Sequence, residues 1–94
     1  MAHVLLIEDD PGVREGLRLA LTHQGHRVET AETGEQGLRL AGEDPPDVVV
    51  LDLMLPGIDG FEVCRRLRAV GDVPIIMLTA RGDDMDVVAG LEAG

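Results

Sequence analysis

Apolar residues run along this chain in two rhythms. Short unbroken runs, such as "HVLLI" at 3–7 and "VVVLD" at 48–52, alternate with longer stretches in which apolar positions return every three or four residues. Runs of the first kind are the length of a buried strand, and stretches of the second kind are amphipathic helices. The alternation predicts βαβ units and a parallel sheet.

"HVLLI" (3–7) reads as strand one. Pro11 sits at a helix start, Val13, Leu17, Ala20 and Leu21 fall at helical spacing, and Gly25 closes the helix. "HRVET" (26–30) is a weaker, alternating strand that suits a sheet edge. Thr33 is placed to cap a short helix carrying Leu38, Leu40 and Ala41. The two prolines of "EDPPD" (43–47) make that segment a loop. "VVVLD" is apolar until its last residue, as expected of a central strand covered on both faces. A third helix from about Phe61 to Val70 places Phe61, Cys64 and Leu67 on one face. "VPIIMLT" (73–79) is strand four, its proline at the entry where a missing donor matters least. A fourth helix begins near Asp83 and turns Val87, Val88 and Leu91 inward.

The 94 residues make one domain, 1–94, with 45% hydrophobic and 28% charged residues, an ordinary soluble composition. A net charge of −10 argues against direct binding to DNA or an anionic membrane. The opening residues resemble neither a signal peptide nor an anchor, so a cytoplasmic protein is expected. One cysteine, Cys64, excludes an internal disulfide; on the apolar face of helix three it reads as an inert buried thiol. "RRLR" (65–68) reads as a solvated helix face with Glu62 in reach of Arg65 and Arg66. His3, His23 and His26 converge on no acidic cluster in this reading and receive no ligand role.

Charge at the strand ends carries the chemistry. Glu8, Asp9 and Asp10 follow strand one, Asp52 ends strand three, and Thr79 ends strand four. Ligands of open parallel sheets bind outside the carboxyl ends of the strands, where strand order reverses. In a 2-1-3-4 order that point lies between strands one and three, roughly 4.8 Å apart. Asp9 and Asp52 would then face each other across one crevice. Carboxylates that close repel unless a cation intervenes, and a hard divalent ion with oxygen ligands, Mg²⁺, answers the need.

"VLLIEDD", "VVVLDLMLPGIDGFEVCRRLR" and "VPIIMLTARGDD", in this order and spacing, resemble the receiver domain of bacterial two-component response regulators. The spelling is nearest the OmpR/PhoB-like subclass joined to winged-helix DNA-binding domains. The resemblance implies a flavodoxin-like (CheY-like) doubly wound sheet with Asp52 as phosphoacceptor, charged by a sensor histidine kinase. It further implies that Asp9, Asp52 and the backbone carbonyl of Met54 ligate Mg²⁺ directly and that Glu8 acts through water. Thr79 would offer its hydroxyl to the phosphoryl oxygen, and small Ala80 would leave room for it. Asp10 falls at the family's more variable position.

Pro56, Gly57 and Gly60 are turn residues that, by the resemblance, hold the following loop close to the site. The family's lysine and switch aromatic on a fifth strand have no counterpart, since the sequence contains no lysine and Phe61 is its single aromatic. The expectation is therefore a receiver cut before strand five and helix five, with "IIML" along an open edge that invites a homodimer. DNA would be reached only through a further, C-terminal domain. Two other functions compete. One is an interaction module that works without phosphorylation. The other is an aspartyl-phosphate hydrolase, which would want an Asp where Met54 stands.

Overall fold

Strands and helices alternate along residues 1–78, the part of the chain that this computed structural model describes. They are β1 (His3–Ile7), α1 (Pro11–His23), β2 (Arg27–Ala31), α2 (Gly34–Glu43), β3 (Val48–Asp52), α3 (Gly60–Val70) and β4 (Ile75–Leu78). All neighbouring strands are parallel, in the order β2-β1-β3-β4. The expected 2-1-3-4 sheet is present. Thr79, Ala80 and the helix expected from Asp83 lie outside the described residues.

Side-chain alternation sorts the sheet into two cores. Leu5 and Ile7 of β1 join Val49 and Leu51 of β3, Ile75 and Met77 of β4, and Val63, Cys64 and Leu67 of α3 on one face. Val4, Leu6 and Val50 point the other way, where Leu17 and Leu21 of α1 pack against them. β1 is buried along its whole length, as a strand covered on both sides must be. Each fully buried aliphatic side chain contributes about 1.5–3 kcal/mol of transfer free energy.

Three helix positions differ from the pattern. Phe61 is 64% exposed, and the inward face of α3 is Gly60, Val63, Cys64 and Leu67. The helix starts one residue earlier than the apolar spacing suggests, and its phase is set by Gly60. A Cβ on Gly60 would stand 2.6 Å from the carbonyl oxygen of Asp52 and 2.6 Å from Cα of Leu53. Only glycine lets α3 begin so close to that backbone, and the next residue is then turned away by about 100°. Val13 is 46% exposed, because the first turn of α1 extends past the apolar rim of the sheet; Ala20 is exposed too. Strand two runs one residue later than its sequence pattern, ending on buried Ala31.

Gly25 ends α1 as expected: its φ of 93° is left-handed, and its N–H donates to Thr22. Thr33 caps α2 by accepting from Gln36 N, and Asp59 caps α3 by accepting from Glu62 N.

Candidate functional site

Register brings the acids together. Ile7 of β1 pairs with Leu51 of β3, so the next residue of each strand, Glu8 and Asp52, leaves the sheet at the same level. The carboxylate oxygens of Glu8, Asp9 and Asp52 lie within 4.8 Å of one another. Glu8 is 5% exposed and Asp52 6%, while Asp9 is open to solvent. Asp9 and Asp52 thus share one crevice at the predicted switch point.

Hydrogen bonds hold each acid in place. The N–H of Glu8 donates to the carbonyl of Ala31 at 3.0 Å, continuing the β1–β2 ladder past the strand. Its Oε2 accepts from Asp10 N at 3.0 Å. Asp52 Oδ1 accepts from Met54 N at 3.0 Å, closing a tight turn immediately after β3. Asp10 belongs elsewhere: its Oδ1 accepts from Gly12 N at 2.9 Å and Val13 N at 3.1 Å, capping α1. Three consecutive acids are thereby divided, two for the crevice and one for the helix.

Electrostatics record the crowding. Burial pushes the Glu8 carboxyl up to about 7; the hydrogen bond from Asp10 opposes this, and the neighbouring charges of Asp52 and Asp9 add to it. Burial and like charge together outweigh the one hydrogen bond that opposes them. At oxygen distances of about 2.1 Å, ligands on one octahedral Mg²⁺ lie roughly 3–4 Å apart, so small side-chain movements would bring these three acids onto one ion. All donors are hard oxygens. The residues fit a divalent cation of that type.

The side chain of Met54 is exposed and its N–H is engaged with Asp52. Glu62 pairs with both Arg65 and Arg66 as the helix spacing predicts. Cys64 is buried.

The histidines require a correction. His3 Nε2 lies 3.1 Å from Glu29 Oε1, and Asp44 brings a carboxylate within the same 4.8 Å cluster. The sequence hid this, because the contact depends on the parallel register that sets His3 beside Arg27 and so puts Glu29 two residues further along the same face. Arg27 already supplies a cation to Asp44, at 3.1 Å, and the group ties β1 and β2 to the end of α2. His26 Nδ1 accepts from Ala2 N.

A parallel doubly wound sheet with buried acids outside its central strands defines a flavodoxin-like α/β domain with an acidic pocket at the switch point. The family model of the response regulator receiver domain matches residues 4–94, and the chain belongs to that family. Transcriptional regulatory protein AfsQ1 of Streptomyces coelicolor is 64% identical over 94 residues, covering all of this chain and 42% of its own length. Response regulator MprA of Mycolicibacterium vanbaalenii is 51% identical over 92 residues, covering 97% of this chain and 40% of its own. The chain thus spans about two fifths of the length of these curated relatives.

Among solved structures, response regulator TrrA of Thermotoga maritima, in complex with Mg²⁺-BeF, superposes with a TM-score of 0.83 at 39% identity. The match covers 86% of this chain and 71% of that one. Chemotaxis protein CheY4 of Vibrio cholerae gives 0.83 at 32% identity, covering 88% and 72%. The domain is a signalling module rather than an enzyme of the ordinary kind. No helix among the described residues is long and apolar enough to cross a membrane.

Proposed function

We propose that Asp52 is the phosphoacceptor of this receiver domain, working with Mg²⁺ held by Asp9, Asp52 and the Met54 carbonyl, and by Glu8 through water. The supporting observation is the convergence of Glu8, Asp9 and Asp52 within 4.8 Å, with Glu8 raised to about 7 by burial and by the neighbouring acids. Bound Mg²⁺ supplies charge neutralisation for the incoming phosphoryl group.

The remaining chemistry belongs to the chain. An oxygen of Asp52 forms the new bond to phosphorus in line, the phosphorus–nitrogen bond of a kinase phosphohistidine breaks, and its electron pair stays on the imidazole. The bond from Met54 N fixes the carboxylate for that approach. Thr79 and Ala80 keep the roles the family resemblance gives them, as hydroxyl donor and small neighbour. The acyl phosphate carries about −2 charge where the carboxylate carried about −1, and the added charge would rearrange the donors around the pocket.

In the cell the domain would be cytoplasmic, receive its phosphoryl group from a sensor histidine kinase and switch a DNA-binding effector elsewhere in the protein. A homodimer would form through the β4 side, where Ile76 is exposed; a stable monomer at high micromolar concentration in sedimentation would rule that out.

The test is direct. Acetyl phosphate with Mg²⁺ should add one phosphoryl mass to the wild type and none to Asp52→Asn. Beryllofluoride should shift the amide resonances of Asp52 and Met54. Labelling that survives in Asp52→Asn would overturn the assignment.

A further inference from the structure

One side chain collects the carbonyls of the two pocket acids that follow β1. Arg14, one turn into α1, donates from Nη1 to the carbonyl of Glu8 at 3.0 Å and more weakly to that of Asp9 at 3.5 Å. Its Nη2 lies 3.7 Å from Glu32 Oε2, just beyond β2. The Arg14 side chain is only 19% exposed, and Glu32 is 68% exposed.

We infer that Arg14 is a positioning residue for the cation pocket: its guanidinium locks the backbone of Glu8 and Asp9, and so fixes where their carboxylates can reach. The inference deepens the metal-dependent reading above and rests on it.

The physical case starts from what else holds this segment. Glu8 has its N–H on Ala31 and its Oε2 on Asp10 N, which leaves its carbonyl as the remaining way for the peptide to rotate. A half-buried carbonyl without a partner is costly, and the guanidinium serves the two carbonyls from Nη1 while Nη2 faces Glu32. Rotation of the Glu8–Asp9 peptide would swing both side chains away from Asp52, because the acids sit on adjacent residues. The helix supports the fork from behind: Arg14 N donates to the Asp10 carbonyl at 2.8 Å, so the residue that caps α1 also seats the one that grips the loop. A lysine at this place keeps the charge but loses the paired donors. An outer group that orients metal ligands in this way typically carries 10–100-fold in metal affinity.

Mg²⁺ affinity of the full chain, measured by calorimetry, decides the matter. Arg14→Ala should raise the Mg²⁺ Kd by about tenfold, and Arg14→Lys should raise it by a smaller factor. Arg27→Ala, which removes an exposed arginine–carboxylate pair at the other end of the sheet, should leave it unchanged. Beryllofluoride uptake by Arg14→Ala should recover when Mg²⁺ is raised to saturation, which a general loss of structure would not allow. Where Arg14→Ala does not fold, Arg14→Lys and Arg14→Gln serve in its place. A wild-type Kd in the folded variants overturns the positioning role alone. A wild type that binds no Mg²⁺ overturns the metal reading itself, and this inference with it.

Discussion

Glu8, which follows β1, and Asp52, which ends β3, stand at the same level and are both almost wholly buried: burial first, and then the charge of Asp52, raises the proton affinity of Glu8. Two buried acids in that relation cost stability until a cation arrives. Asp52→Asn removes one of the charges and nearly preserves the shape. Without Mg²⁺ it should therefore resist urea better than the wild type, by on the order of 1 kcal/mol. Added Mg²⁺ should narrow or reverse the difference. An equal or lower unfolding midpoint for metal-free Asp52→Asn would contradict the repulsion.

The same relation sets a pH dependence. Glu8 titrates near 7 in the folded, metal-free protein against an ordinary value of 4.5, so the folded state holds its proton more tightly than the unfolded one. Its contribution to stability is complete below about 4.5 and is lost as the pH climbs through about 7. Metal-free unfolding curves should show this loss, and Glu8→Gln should not. Because the cation competes with the proton, Mg²⁺ should bind more tightly as the pH rises over the same interval. Calorimetry in buffers of differing ionisation enthalpy would detect the released proton, and its absence in Glu8→Gln would identify the source.

Gly60 offers a test from the opposite side of the pocket. The methyl of Gly60→Ala would meet the Asp52 carbonyl and the Leu53 backbone at 2.6 Å, and backbone yields less than a side-chain tip. A cost of about 1–3 kcal/mol is expected in urea unfolding. The Mg²⁺ Kd should rise as well, since the strain falls on Asp52, one of the proposed ligands. A neutral substitution would mean that α3 is free to shift.

Phe61 and Val63 separate the true phase of α3 from the apparent one. Val63 is fully buried, and Phe61→Ala removes a mostly exposed ring. Val63→Ala should cost about 1–3 kcal/mol, whereas Phe61→Ala should stay within about 0.5 kcal/mol. Chemical denaturation of the two variants measures both.

These results show where the sequence was legible. β1 and β3 follow their apolar runs residue for residue, because a strand buried on both faces admits nothing polar until it ends. The pocket was readable for the same reason: a charge closing such a run is conspicuous, and strand order then brings Asp52 to Glu8 and Asp9. The phase of α3 was not readable, since Phe61 outweighs Gly60 on any scale of hydrophobicity while close approach favours the smaller residue. His3 was hidden because its partners lie on other elements, joined only by register. The separate job of Asp10 was hidden although Pro11 marks the start of α1, because three acids in a row read as one cluster.

That job bears on what the pocket would admit first. With its carboxylate anchored to the first turn of α1, Asp10 leaves the crevice to Glu8, Asp9 and Asp52, whose acidity faces anything that approaches. A phosphorylated donor is itself an anion and would be turned back at the mouth. Under the proposed function the cation would come first, and the free ion concentration would then govern how often the domain is ready to receive a signal.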